Sequence, residues 1–165
     1  MGVFTLGPEF QGPKPGPVKF NSDDGQISVG MRIYKFLMGF SSHLEAFQII
    51  LADGIQEHAL PHIGDTHVLG KQYIVPEGDE IKCIRFGVRP VINATAFHRL
   101  LSLQFTTKLG TESPVFAGNG TVTEYHIACA DTNDQHVVGL HGTYNNSAHG
   151  IDSVGLNFMK EIIKP

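Results

Sequence analysis

The 165-residue chain contains no run of lysine or arginine, and its formal net charge is −4. Composition therefore gives no basis for a basic patch that would hold nucleic acid or an anionic membrane. No stretch approaches the ~20 apolar residues of a membrane-crossing helix, so membrane insertion is not expected. The first residues, MGVFTLGPEF, lack the basic start and long apolar run of a secretory leader. Leu6 stands where a myristoylation signal needs Ser or Thr. The expectation is a cytoplasmic protein, or a secreted one lacking its leader. Cysteine is scarce. Cys83 and Cys129 both sit in alternating apolar stretches, IKCIRF and HIACAD. That excludes a disulfide-dense scaffold and leaves two readings, a pair of buried small hydrophobes or one cross-strand bridge.

Catalytic signatures are missing as well. There is no Gly-x-Ser-x-Gly elbow, no phosphate-binding glycine loop and no Cys–His pairing by spacing. The acidic pairs Asp23-Asp24 and Asp79-Glu80 fall in turn sequences and read as solvated. Of the nine histidines, His58 and His62 are spaced i, i+4, but Pro61 between them rules out a helical ligand pair. His67 and His126 have no Cys or carboxylate at a metal-site spacing. Neither an enzyme nor a metal or other cofactor is expected.

What the chain has in quantity is turn-forming residues, with nineteen Gly and nine Pro set in a 41% apolar background. This composition fits one globular, all-β domain of short strands. Residues 1–19 carry Pro8, Pro13, Pro15 and Pro17, which disfavour helix and interior strand, and read as an extended Gly/Pro-rich arm, part of which resembles cloning linker. Residues 20–165 read as the domain proper. No segment holds a helical period over three turns, and about a dozen antiparallel strands are expected. The Asn-x-Ser/Thr triplets at Asn93, Asn119 and Asn145 matter only if the chain is secreted.

The strands repeat. Residues 31–51, 80–107 and 135–158 each read as strand, loop, strand. In the second strands, Leu44-Glu45-Ala46-Phe47-Gln48-Ile49, Leu100-Leu101-Ser102-Leu103-Gln104-Phe105 and Ile151-Asp152-Ser153-Val154-Gly155-Leu156 align, with offsets of 56 and 51 residues. Self-similarity at that period predicts three hairpin units about a common axis. In the last copy Val154, Leu156 and Phe158 share one parity and form a core stripe, with Asp152 at its loop end. A carboxylate there, beside a loop rich in backbone N–H donors, either accepts bonds from its own loop or holds a ligand. Tyr144, in the same loop, stands to stack on a ligand or to pack the loop base.

The order of features resembles a jacalin-related lectin domain from about residue 12 to 158. Gly16-Pro17-Val18-Lys19-Phe20 followed by Asp23-Asp24-Gly25 matches the family's opening. Glu80-Ile81 and Ser102-Leu103-Gln104-Phe105-Thr106-Thr107 match its middle section. Val138-Gly139-Leu140-His141-Gly142 followed by Ile151-Asp152-Ser153-Val154-Gly155 matches its last section. The resemblance implies an all-β, β-prism I fold of three antiparallel sheets with a pseudo-threefold internal repeat. It also implies a non-catalytic lectin for mannose- or galactose-type glycans or glycoproteins. Carried over position by position, the sugar site is Gly16, Pro17, Ala148, His149, Gly150, Ile151 and Asp152. A second carbohydrate site in the first repeat would use Ser42, His43, Leu44 and Glu45, while Leu101 makes the second repeat silent. A hexose presents vicinal hydroxyls, each donor and acceptor, and a carboxylate accepts from two of them while loop N–H groups donate back.

Two positions depart from the family pattern. Ala148 stands where the family has Gly four residues before the Asp, and Pro17, which has no N–H, replaces the second Gly of the opening pair. They motivate the alternative expectation of a β-prism used as a protein-interaction or structural module. A shallow site also implies weak single contacts, so that useful binding calls for several sites or a homo-oligomer.

Overall fold

The computed structural model describes residues 2–11, 18–64, 69–90, 98–145 and 150–161, with backbone alone at 10–11, 90, 98, 145, 150, 152 and 161. Fourteen strands and no helix are found among them. One sheet is built on the hairpin of β4 (Arg32–Phe40) and β5 (Leu44–Ala52), flanked by β6 (Glu57–Ala59), β7 (Ile63–Gly64) and β8 (Lys71–Ile74). A second is built on β9 (Ile81–Pro90) and β10 (His98–Thr107), with β11 (Phe116–Ala117) and β12 (Glu124–Cys129) at its edges. The third is built on β13 (Gln135–Asn145) and β14 (Gly150–Glu161), with β1 (Gly2–Leu6), β2 (Phe10–Gln11) and β3 (Val18–Asn21) added outside. This is the β-prism I architecture, three antiparallel sheets with one hairpin unit in each.

The repeat extends to its irregularities. In the ladder of β4 with β5, Gly39 pairs with Ala46 and Phe40 with Leu44, so Glu45 is an extra residue. Leu101 is extra in β10 and Asp152 in β14, at the aligned positions. Each hairpin carries a second bulge on its first strand near the other end, at Tyr34, Lys82 and Val138. A bulge resets the period of two. Leu44 and Phe47, Leu100 and Leu103, and Ile151 and Val154 lie three apart, yet all six are buried.

Between the sheets lies one core. Aromatic rings run through it from sheet to sheet. Phe20 meets Phe47 at 5.8 Å, Phe47 meets Phe36 at 5.7 Å, Phe36 meets Phe105 at 5.0 Å and Phe105 stacks on Tyr73 at 4.8 Å. The predicted stripe Val154, Leu156 and Phe158 is buried there. The opposite parity of β14 is buried too, in polar company. Asn157 Oδ1 lies 2.8 Å from His141 Nδ1, Asn157 Nδ2 donates to Asn21 Oδ1 at 2.8 Å, and the Leu140 N–H donates to Ser22 Oγ at 3.0 Å.

Two sequence readings gain detail from the fold. Residues 1–19 read as an arm, but Gly2–Leu6 pairs along β14 from Glu161 to Asn157, and the Gly7 N–H continues the ladder to the Leu156 carbonyl. Proline is absent from residues 2–6, and an edge strand tolerates Pro8 at its end. The open choice for the cysteines resolves to a Cys83–Cys129 disulfide. The two are cross-strand partners of β9 and β12 with Cα atoms 4.1 Å apart, the close spacing of a non-hydrogen-bonded antiparallel pair.

At the end of the prism away from the hairpin tips, Glu80 ties the three sheets together. Its carboxylate lies 3.0 Å from Lys108 Nζ, 2.8 Å from His136 Nδ1 and 3.4 Å from Arg32 Nε. Those partners belong to the β10 end, β13 and β4 respectively, and Lys108 also donates to the Asn133 carbonyl at 2.9 Å. Glu80→Gln removes the charge that Arg32 and Lys108 share and the carboxylate beside His136. Urea unfolding of that variant is expected to show a loss of about 1–3 kcal/mol; an unchanged midpoint would mean the cluster is merely decorative.

Candidate functional site

The first hairpin tip and the strand ends that lead to the other two tips lie at one end. The Asn119 and Gly120 N–H groups donate to the Ser41 and Ser42 carbonyls, each at 3.0 Å. A Cβ at Gly120 would overlap both the Ser42 carbonyl and the Leu101 side chain, so the 118–120 segment wedges between the first tip and the start of β10. Strands of the first and third hairpins share a cavity of about 230 Å³ lined by Glu45, Ala46, Phe47, Ile63, Gly64, Tyr144 and Ile151. The carboxylate position in the first repeat thus lies within one cavity of the third repeat's loop base.

Bulges give these positions their aim. A bulged residue leaves the alternation of the ladder, and bulges are frequent beside functional sites. Glu45 and Asp152 hold the equivalent bulge positions in two repeats, and Leu101, 3% exposed, holds the third. The pole therefore has two acidic corners and one closed apolar corner.

The sequence-predicted residues distribute as follows. Gly16, Pro17, Ala148 and His149 lie outside the described residues. Their anchors are described. Gln11 pairs with Ser153 on one edge of the third hairpin and Val18 pairs with Tyr144 on the other, so the chain between them begins and ends beside that tip. Ser153, next to Asp152, is fully buried, bonded to Thr143 Oγ1 at 2.7 Å, and donates to Glu9 Oε1 at 3.0 Å. Gly150 opens β14 opposite Asn145, and Ile151 is buried opposite Tyr144. In the first repeat, Ser42 is exposed and its Oγ lies 3.0 Å from His43 Nδ1. His43 and Leu44 are buried, and Glu45 is half-buried at the cavity rim. Ser42 and Glu45 are the two of the four that face solvent.

Sequence reasoning did not bring Ile63 and Gly64 to this pole. Their strand is two residues long, too short for an alternation signal, and it joins β5 by pairing Gly64 with Ala46. Gly64 has φ of +85°, and a Cβ there would overlap the Glu45 carbonyl. Glycine is what allows the β7 backbone to close the cavity wall.

Solved structures share this fold across the whole chain. Artocarpin in complex with mannopentose superposes with a TM-score of 0.66 at 14% identity, covering 94% of this chain and 96% of that one. Malaysian banana lectin gives 0.65 at 15% identity, covering 98% and 100%. A mannose-specific jacalin-related lectin from Morus nigra, in complex with mannose, gives 0.63 at 13% identity, covering 96% and 93%. No protein-family model matches the chain, and no curated protein does. The fold is that of the jacalin-related lectins.

Gly64→Ala combines a left-handed backbone angle with a steric clash. It is expected to cost about 1–3 kcal/mol and to alter the cavity wall beside Glu45. Thermal unfolding checks the first, and a structure of the variant checks the second; a neutral Gly64→Ala would mean that β7 is free to move away.

Proposed function

We propose that this protein is a non-catalytic lectin that binds mannose-type glycans at the tip end of the prism. The observation that carries the reading is the placement of two acidic residues, Asp152 and Glu45, on equivalent bulges at that end. The fold is shared with solved structures described as holding mannose, mannotriose or mannopentose, which favours mannose over galactose. The main site uses Gly16, Pro17 and residues 148–152, with Asp152 accepting from two vicinal hydroxyls and loop N–H groups donating to the sugar. Ser42 and Glu45 form the second site, opening on the cavity that Tyr144 shares. Each site is shallow and wet, so single contacts are weak, on the order of millimolar or about 4 kcal/mol. Two acidic corners on one pole would let a branched glycan engage both, and avidity then exceeds either contact.

A second reading is a β-prism serving as a protein-interaction module. Pro17 removes a backbone donor, and Ala148 adds a side chain where the family keeps glycine. A glycan array with wild type, Asp152→Ala and Glu45→Ala separates the two. The lectin reading expects mannose-rich glycans to bind wild type, to lose most signal with Asp152→Ala and to lose part with Glu45→Ala, all three remaining folded by circular dichroism. A blank array with folded protein, together with specific capture of a protein partner, would leave the interaction module.

The cross-strand disulfide supports the secreted setting over the cytoplasmic one, because such bonds persist in oxidising compartments. Alkylation of protein from its native source before reduction is expected to leave both cysteines unlabelled; two labelled thiols would return the protein to a reducing compartment.

A further inference from the structure

Charge is unevenly distributed along the chain. Between Glu80 and Glu112 there is no acidic residue, while Lys82, Arg85, Arg89, Arg99 and Lys108 all fall there. The strands of the second hairpin thus hold four of the twelve Lys and Arg, with Lys108 just beyond them, and none of the sixteen Asp and Glu. Its residues are too spread out to form a run in sequence. The hairpin ladder gathers them.

Ile84, Phe86 and Val88 alternate into the core, so Arg85, Gly87 and Arg89 face outward. Arg99 is the direct cross-strand partner of Arg89 and therefore shares that face. Arg85, four residues along β9 on the same face, lies with its guanidinium carbon 3.9 Å from the centre of the Tyr125 ring, and Tyr125 is exposed. Like charges directly opposite one another in a ladder are unfavourable. Among the described residues no carboxylate lies within ion-pair distance of any of the three arginines. The tip between the opposed pair, residues 91–97, contains no acid either. The Nε–H of Arg99 is buried and has no hydrogen-bond partner. A repelling pair with no counter-charge among the described residues favours an external anion. Guanidinium forks match the oxygens of sulfate and carboxylate two at a time.

We propose that Arg89 and Arg99 form an anion subsite that takes a sulfate or carboxylate group carried by a glycan, with Arg85 further along the same face adding to its positive charge. It sits where β9 and β10 run toward the second tip, whose bulge residue is Leu101. The corner of the pole that lacks a carboxylate therefore adjoins the anion-binding face. Acidic glycans gain a contact that neutral mannosides do not make. This proposal rests on the lectin reading only in taking the anion to be part of a sugar.

The test titrates full-length protein with a heparin-derived sulfated oligosaccharide, an oligogalacturonate and neutral mannotriose, each at low and at physiological salt. Wild type is expected to bind at least one acidic oligosaccharide more tightly than mannotriose, with affinity falling as salt rises. The sulfated and the uronate arms tell which group is taken. Arg89→Ala/Arg99→Ala is expected to weaken acidic binding by about tenfold or more and to leave mannotriose unchanged. Arg89→Lys/Arg99→Lys retains charge but loses the forks, and is expected to keep only a small part of the gain. Inorganic sulfate should raise the melting temperature of wild type above that in chloride at equal ionic strength, and not that of the double alanine variant. Equal acidic binding by wild type and the double alanine variant would overturn the proposal, as would no acidic binding, or duplex DNA binding as tightly as the acidic sugars. Acidic binding that depends on the arginines without any mannotriose binding would retain this subsite while removing the site at Asp152.

Discussion

Six β-bulges set the shape of this protein. Three sheets that face a common axis must each present apolar side chains along the whole length of a hairpin, and an unbroken period of two cannot also turn a side chain out at the tip. The bulges at Glu45, Leu101 and Asp152 insert one residue just where each second strand leaves its loop. Core packing then resumes one residue earlier, at Leu44, Leu100 and Ile151. The bulged position is released from pairing with the neighbouring strand. It is thus the position on each hairpin freest to change chemistry, and the three copies have diverged to Glu, Leu and Asp. The partner bulges at Tyr34, Lys82 and Val138 do the same at the far end of the first strands.

The two ends of the prism are consequently different in kind. At one end, the Glu80 carboxylate is shared by Arg32, Lys108 and His136, side chains from all three sheets, and the partners hold one another in place. At the other, backbone groups of the 41–43 loop are occupied by the 118–120 segment, while the third tip is flanked by β2 and β3. A rigid scaffold with one closed end and one end of loops concentrates recognition at the latter. The third sheet adds a buried polar layer through His141, Asn157 and Ser22. Satisfied polar groups of this sort fix register more sharply than apolar contact, because a slip would leave each of them unpaired. The added edge strands β1 and β2 depend on that register, since they dock along β14 residue by residue.

Much of this was legible in the sequence. Alternation of Val154, Leu156 and Phe158 marked a core stripe, and the aligned second strands marked a threefold repeat. The bulges were legible in principle, through the i, i+3 spacing of Leu44 with Phe47, Leu100 with Leu103 and Ile151 with Val154, but period two was the template applied. Asp152 was accordingly read as the end of the core stripe, where the ladder instead makes it the extra residue. Strand β7 carried no signal, because two residues cannot show a period. Gly2–Leu6 was hidden by its proline-rich neighbours, since pairing at an edge asks little of local propensity. The disulfide stayed open because it depends on register between β9 and β12, and register between distant strands is a property of the fold.

The same limit governs the charges. Arg85, Arg89 and Arg99 are separated by up to fourteen positions and by a loop, so no window along the chain contains a basic cluster. Pairing Arg89 with Arg99 creates one. Identity of 13–15% to solved lectins of this fold carries the same message from the other direction. The prism is specified by a distributed pattern of apolar spacing, bulges and a few tight glycines, which many sequences satisfy. What each sequence recognises is decided by a small number of positions that the pattern leaves unconstrained. In this chain those are the bulge residues at the tips and the outward face of the second sheet, and they carry opposite charge. Under the proposed lectin function, a ligand with both vicinal hydroxyls and an anionic substituent is the one that such a surface would complement, because carboxylates at two corners would accept from hydroxyls and repel an anion that the third side would attract.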